Sequence, residues 1–263
     1  MKKLFAMLLS VIMILGLMAG CGNAAAENAD SDLAYIQEKG TLIVGITEYE
    51  PMDYKDENGE WIGFDADLAN LVAEELGVKA EFLVLADWGQ KFYELDTKNI
   101  DVVWNGMTIT DEALLNASVT DAYAMNAQVV VMNADKCADY ADADSIKDLT
   151  FAVESGSAGE ATLQELGMTE LIAVQDQPAA IMEVAAGTAD ACVIDITMAN
   201  AMTGEGTGYE DLAIAQNLTE EQYGIGFRKD SDVTAKVNEI LKQFKEDGTL
   251  DALSETYGIT VAE

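Results

Sequence analysis

The chain has 263 residues, and its 48 acidic residues outnumber its 14 basic residues, which gives a formal charge of −34 at pH 7. Such a charge disfavours nucleic acid and anionic lipid headgroups as partners, because both repel an acidic surface. The sequence contains no histidine, which excludes histidine-based catalytic triads and argues against a zinc site, and we expect neither a metal nor a cofactor.

The first twenty residues have the pattern of a signal peptide. Lys2 and Lys3 precede a predominantly apolar run over residues 4–18, which is too short and too closely followed by polar residues to favour a permanent membrane span. The small residues directly before Cys21 resemble a bacterial lipobox, which implies a multiply acylated cysteine as anchor. We therefore predict an extracytoplasmic protein held at the bacterial cell membrane by a lipidated Cys21. The alternative is an ordinary cleaved signal peptide in which Cys21 has no role.

The segment after the cysteine is small and polar. Residues 21–32 therefore predict a lipidated cysteine followed by a tether to the folded body. Removal of residues 1–20 takes away two lysines and no acid, so 12 basic residues remain against 48 acidic ones and the formal charge becomes −36. This charge would steer cationic solutes toward the protein, or it serves solubility alone.

From Leu33 onward, strand-like and helix-like apolar patterns alternate along the chain. The predicted strands lie at 41–46, 80–85, 101–104, 128–132, 150–153, 170–174, 191–194 and 224–227. The predicted helices lie at 65–76, 159–166, 179–186 and 233–245. Such alternation predicts an α/β fold in which mixed sheets are flanked by helices.

The folded part is longer than a common single domain, which favours two lobes. Two strand-like stretches, 128–132 and 223–227, are suitable places for the chain to cross between lobes. The predicted first lobe comprises 33–132 and 223–263, and the predicted second lobe comprises 133–222.

Two thiols remain after lipidation. Cys192 lies in an apolar run, where the role of a small buried hydrophobic residue is favoured. The sequence leaves a disulfide with Cys137 open, because sequence alone does not fix the distance between two cysteines.

Four segments in one order span nearly all of the chain after the tether. They are Glu-Asn-Gly-Glu at 57–60 with Gly-Phe-Asp-Ala-Asp-Leu-Ala at 63–69, Asn-Ile-Asp-Val-Val-Trp-Asn-Gly-Met-Thr-Ile-Thr at 99–110, Asp-Ala-Cys-Val-Ile-Asp at 190–195, and Tyr-Gly-Ile-Gly-Phe-Arg-Lys at 223–229. Together they resemble the family-3 bacterial extracellular solute-binding proteins, which are the amino-acid-binding components of ABC importers. The resemblance implies a two-lobed periplasmic-binding-protein-like fold of type II, hinge closure around a small solute, an ABC transporter permease as partner, and a monomer without enzymatic activity.

The resemblance also implies a ligand site. In this family an acid binds the ligand ammonium, an arginine and amide donors bind its carboxylate, and apolar or aromatic walls hold its side chain. The residues at these positions are Tyr49, Trp88, Asn105, Met107, Thr108, Ser157 and Asp195.

The roles within this set differ, and each has a structural alternative. Asp195 falls at the ammonium position, at the carboxyl end of a predicted strand where open α/β sheets bind ligands; otherwise it caps the next helix. Tyr49 and Trp88 are the predicted walls, or they belong to the core. Asn105 and Thr108, with Met107 between them, are predicted ligand contacts, or they form a turn before a helix.

The sequence departs from the family pattern on the carboxylate side. Ala113 stands where the family has its carboxylate-binding arginine, three residues after the predicted helix cap Thr110. Ala158 stands beside Ser157, where the family loop has a second hydroxyl residue. We therefore predict an amine or a ring cation in place of an ordinary α-amino acid, unless Arg228, the single arginine, reaches the site from elsewhere.

Two other functions are open from the sequence. A few secreted proteins of this fold are dehydratases of prephenate-like acids, and Glu48, Glu50 or Asp195 could serve as the acid or base. The lack of an arginine at position 113 argues against such substrates. A ligand-sensing module is the third possibility.

Overall fold

The computed structural model describes residues 31–263. The predicted signal peptide, the predicted lipidation site Cys21 and most of the predicted tether lie outside the described residues. Within the described range, no helix is both long and apolar enough to cross a membrane.

Nine α-helices, two short 3-10 helices (Trp88–Gln90 and Ala134–Asp139) and fourteen strands are present in the described residues. The first part contains α1 (Asp32–Lys39), β1 (Thr41–Ile46), β2 (Tyr54–Lys55), β3 (Trp61–Ile62), α2 (Phe64–Glu75), β4 (Lys79–Val84), α3 (Lys91–Asp96), β5 (Val102–Val103), α4 (Asp111–Asn116), β6 (Ala117–Val119) and β7 (Ala124–Asn126). The middle contains β8 (Gln128–Asn133), β9 (Phe151–Glu154), α5 (Ala158–Glu165), β10 (Leu171–Val174), α6 (Gln177–Ala185), β11 (Ala191–Asp195), α7 (Ile196–Met202) and β12 (Leu212–Asn217). The last part contains β13 (Glu221–Tyr223), β14 (Gly226–Arg228), α8 (Val233–Asp247) and α9 (Thr249–Tyr257).

The first sheet has the strand order β4-β1-β5-β14-β6. β4, β1 and β5 run parallel, and β14 runs antiparallel to both of its neighbours. β1 is largely buried because its sequence, Thr-Leu-Ile-Val-Gly-Ile, is almost entirely apolar, as expected for a strand covered on both faces.

The second sheet repeats this plan with the order β10-β9-β11-β8-β12. β10, β9 and β11 are parallel, and β8 is antiparallel to β11 and β12. Two mixed sheets flanked by helices therefore confirm the predicted α/β class.

A narrow pair of strands connects the two sheets. β7 and β13 pair antiparallel, with Ala124 opposite Tyr223 and Asn126 opposite Glu221. The assignment of residues 128–132 to the first lobe was wrong at the level of the sheets, because β8 pairs with β11 and β12 in the second sheet. The apolar run looks the same in either sheet, and only the non-local pairing decides its place.

Local signals set the helix ends. Ser31 caps α1 by accepting a hydrogen bond from the Ala34 amide, and Gly40 ends the helix with φ 77°. Thr110 caps α4 by accepting from the Ala113 amide, which confirms the predicted cap. α8 buries Val233, Val237 and Ile240 on one face, as the helical period requires.

The two cysteines of the described part are free thiols. Cys192 is completely buried in β11, and burial raises the pKa of its thiol. It therefore acts as a small apolar residue of the core.

Candidate ligand-binding site

A cavity of ≈ 290 Å³ lies between the carboxyl ends of the parallel strands of both sheets. Trp88, Lys91 and residues within 105–113 line it from the side of the first sheet, and residues within 154–165 line it from the side of the second. Gln128, Gln177 and Asp195 complete the wall. This is the place where open α/β sheets bind ligands.

Asp195 lines this cavity at the end of β11. Its Oδ1 accepts hydrogen bonds from Asn126 Nδ2 at 2.5 Å and Gln128 Nε2 at 2.5 Å, and its Oδ2 accepts one from Gln177 Nε2. Burial and the charge of Glu221 raise the pKa of Asp195 to about 7. The carboxylate is thus desolvated and held in one orientation by three side-chain amides.

Glu154 is a second buried acid in the cavity and was not predicted from the sequence. It ends β9, the parallel neighbour of β11, and is 3% exposed. Burial and the charge of Asp195 raise the pKa of Glu154 to about 8. Its Oε1 has no hydrogen-bond partner among residues 31–263. A signal existed, because an acid follows the predicted strand at 150–153 just as Asp195 follows the one at 191–194.

Trp88 and Lys91 form the opposite wall. Trp88 is 7% exposed and lines the cavity. Lys91 Nζ lies 5.0 Å from the centroid of the Trp88 ring and donates to the Gly156 carbonyl at 3.1 Å. Burial lowers the pKa of Lys91. This lysine, which the sequence did not single out, bridges the two sides of the cavity.

Tyr49 is not among the residues that line the cavity, and its role as a ligand wall stays a prediction. The side chain is 2% exposed, and its hydroxyl bonds to Thr197 Oγ1 and, at 2.6 Å, to the hydroxyl of Tyr223. Thr197 lies in α7, which directly follows β11 of the second sheet. The Tyr49 side chain therefore contacts an element that packs with the second sheet.

Asn105 lines the cavity, but its side-chain amide is engaged within the protein. Its Oδ1 accepts from the Thr47 amide at 2.9 Å, and its Nδ2 donates to Asp53 Oδ2 at 2.7 Å. The next amide, of Gly106, donates to Asp65 Oδ2 at 2.6 Å. The buried acids Asp53 and Asp65 thus accept hydrogen bonds from Asn105 and Gly106, which line the cavity.

Met107, Thr108 and Ser157 also line the cavity. The Thr108 hydroxyl donates to Glu221 Oε1 at 2.9 Å. Ser157 Oγ accepts from the Glu160 amide at 3.1 Å and caps α5, while the Gly156 amide donates to Glu160 Oε2 at 2.7 Å. One donor of this loop, the Gly156 amide, is therefore occupied by the chain's own Glu160 carboxylate.

Ala113 and Ala158 both face the cavity. Arg228 does not reach it: its Nε donates to Asp32 Oδ1 at 2.9 Å, and its Nη1 donates to the Ile100 carbonyl at 2.9 Å. The single arginine of the chain therefore supplies no contact to a ligand carboxylate.

Two mixed sheets, a paired crossing and a polar cavity between them define a two-lobed solute-binding protein. The sequence profile of the bacterial extracellular solute-binding proteins, family 3, matches residues 42–260, and this chain belongs to that family. The predicted family, fold and solute-binding function are confirmed.

Known proteins of this kind are similar over almost the full chain. The L-cystine-binding protein TcyA of Bacillus subtilis (strain 168) is 32% identical over 267 residues, covering 98% of this chain and 97% of TcyA. A mutant of ArgBP from T. maritima has a TM-score of 0.80 at 31% identity, covering 86% of this chain and 98% of that structure. The ancestral amino-acid-binding protein AncCDT-1, a precursor of cyclohexadienyl dehydratase, has a TM-score of 0.78 at 33% identity, covering 86% and 99%.

Proposed function

We propose that this protein captures a small amino-acid-like or amine solute outside the cytoplasm and delivers it to the permease of an ABC importer. Relatives named for amino-acid binding support the class of solute. The observation that carries the proposal is the buried carboxylate of Asp195 in a cavity between the sheets. A buried charge needs a partner, and a cationic group of the solute provides one.

Within this class we favour an amine over an ordinary α-amino acid. Ala113, Ala158 and the distant Arg228 leave a ligand carboxylate without an arginine. The loss of such a charged pair in a closed cleft costs on the order of 2–5 kcal/mol. Asp195 would bind the ammonium of the solute, and the face of Trp88 would pack against its carbon chain.

The solute would be enclosed by motion of two lobes around β7 and β13. We propose that each five-stranded sheet with its helices forms one lobe, with the first crossing at Ala124–Asn126 instead of 128–132. Contacts of Tyr49 with Thr197 and of Lys91 with Gly156 join the two sides. These contacts would form on closure and break on release to the permease.

A lipid anchor and a monomeric state complete the proposal. The residues before Cys21 support cleavage and acylation at that cysteine. Mass spectrometry of the N-terminal peptide tests the anchor: an acylated Cys21 is expected, and the Cys21→Ser variant should appear in the medium. An unmodified Cys21 in membrane-bound protein would contradict it.

Titration of the Cys21→Ser protein with a panel of amines and amino acids tests the capture site. The Asp195→Asn variant should weaken binding of the best amine at least about tenfold, because one charged hydrogen bond contributes roughly 1.5–3 kcal/mol. The exposed Glu170 offers a control, since Glu170→Gln removes the same charge far from the cavity lining. Equal affinities of Asp195→Asn and wild type would refute the proposed role.

A dehydratase is the second candidate, because AncCDT-1 is a precursor of such an enzyme and two acids of raised pKa face the cavity. The missing arginine disfavours it. Turnover of a cyclohexadienyl acid by the purified protein, abolished in Glu154→Gln, would establish it in place of transport.

A further inference from the structure

The cavity holds two buried carboxyl groups at one end, although a single ammonium group requires only one partner. Glu154 and Asp195 end β9 and β11, which are adjacent parallel strands. Adjacent strands lie about 4.8 Å apart, so both acids emerge at the same edge of the sheet. Both line the cavity.

The two acids differ in how well the protein satisfies them. Asp195 accepts three side-chain amide bonds, whereas Glu154 Oε1 accepts none from the described chain although it is buried. A buried acceptor without a donor is destabilising. Lys91 is the cation of this cavity, but its Nζ donates to the carbonyls of Gly156 at 3.1 Å and Trp88 at 3.4 Å. Glu154 therefore lacks a donor that a bound solute can bring.

The other end of the cavity offers an anion no arginine. Ala113 and Ala158 bring no side-chain donor there, the Gly156 amide is bonded to the Glu160 carboxylate, and the Glu160 amide is bonded to Ser157 Oγ. Apart from Lys91, whose Nζ donates to the Gly156 carbonyl, the charged side chains that line this end are acidic and exposed, and they belong to Asp111, Glu112 and Glu165. A carboxylate here would meet negative charge, whereas a second cation would be attracted.

We propose that the solute carries two cationic groups and no carboxylate, as a short aliphatic diamine does. One ammonium group binds between Glu154 and Asp195, and the other lies toward Glu112 and Glu165. The carbon chain between them packs along Trp88 and the two alanines. This inference rests on the proposed capture function and specifies its substrate.

Three probes of one chain length separate the contributions of the two ends. 1,4-Diaminobutane, butylamine and 4-aminobutyrate each have four carbons and an ammonium group at one end. The other end carries a second ammonium group in diaminobutane, is a methyl group in butylamine and is a carboxylate in aminobutyrate. In calorimetric titrations of the Cys21→Ser protein, diaminobutane should bind at least about tenfold more tightly than butylamine, as expected for one charged interaction. Aminobutyrate should bind more weakly than either.

Variants test each end separately. Glu154→Gln should weaken diaminobutane and butylamine by similar factors, while the control Glu170→Gln leaves both unchanged. Ala113→Arg places a cation at the far end, so it should weaken diaminobutane and strengthen aminobutyrate. Thermal unfolding of each unliganded variant distinguishes a loss of binding from a loss of fold. If Glu154→Gln does not fold, the change of preference from diaminobutane to aminobutyrate in Ala113→Arg still tests the proposal.

The outcomes separate this inference from the function on which it rests. Equal affinities for butylamine and diaminobutane would overturn the inference that the solute carries two cationic groups, but would leave the proposed capture of amines intact. Tighter binding of aminobutyrate or arginine than of diaminobutane would overturn the inference and assign the carboxylate to Lys91. If no amine and no amino acid binds, the inference and the proposed capture of amines both fail.

Discussion

At the scale of single residues, the site depends on acids that are kept out of water. Glu154 and Asp195 have raised pKa values for the same first reason, burial, and each also lies near a second acid. The motif at 190–195 predicts Asp195, because the family has its ammonium-binding acid at this position of the motif. The sequence prediction did not include Glu154, Lys91 or Gln177. The position of Glu154 directly after a predicted strand was a usable signal, but nothing local in the sequence indicates that the side chains of Lys91 and Gln177 turn toward the cavity.

The raised pKa values predict that cation binding strengthens with pH. A bound ammonium favours the ionised acids, whose pKa values are about 7 for Asp195 and about 8 for Glu154. Affinity for an amine should therefore rise from pH 6 to pH 8.5, by at most about tenfold per pH unit for each acid that must lose its proton. Calorimetry in two buffers of different ionisation enthalpy should also detect proton release.

The same shifts have the opposite effect on the unliganded fold. Because both acids hold their protons more tightly in the folded state than in the unfolded chain, the stability of the unliganded protein should fall as pH rises from about 4 to about 8. Asp53 and Asp65 contribute in the same direction, but they lie beneath the cavity floor and do not line it. An amine affinity independent of pH in the wild type would contradict the assigned pKa directions.

At the scale of elements, the sequence was most informative where one segment carries its own signal. The predicted strand at 41–46 coincides with β1, and the predicted helix at 233–245 lies within α8. The stretch 128–132 was identified as a strand but assigned to the wrong sheet. Its partners β11 and β12 lie about 60 to 90 residues further along the chain, and pairing at that separation leaves no local trace.

The turn before α5 makes a prediction about closure. Gly156 has φ 71°, and a Cβ there would lie 2.4 Å from Gly89 Cα, on the other side of the cavity. Gly167 has φ 87° and nothing within 4 Å of such a Cβ. Both Gly156→Ala and Gly167→Ala should lose about 1–2 kcal/mol of stability through backbone strain, but only Gly156→Ala should weaken the tightest-binding amine. Chemical unfolding and calorimetry measure the two effects, and equal affinities of the two variants would argue against closure at this contact.

At the scale of the whole molecule, the formal charge of −34 surrounds a cavity that is lined by two buried acids, Glu154 and Asp195. Such a field raises the association rate of cationic solutes and is screened within about 10 Å at 0.1 M salt.

If the charge serves capture as well as solubility, the association rate constant of an amine should fall roughly several-fold between about 10 mM and about 500 mM salt. The dissociation rate constant should change less. Stopped-flow fluorescence of Trp88, with the Trp88→Phe variant as the signal control, measures both rates. An association rate insensitive to salt would leave solubility as the role of the charge.

The position of β14 in the middle of the first sheet has a consequence for biogenesis. β14 pairs with β5 on one side and β6 on the other, so this sheet stays split until Gly226–Arg228 has been synthesised. The second sheet is complete by Asn217 and uses one continuous stretch of chain. During synthesis or translocation the second sheet can therefore assemble first. The first sheet can be completed only after its carboxyl-terminal strand β14 has emerged.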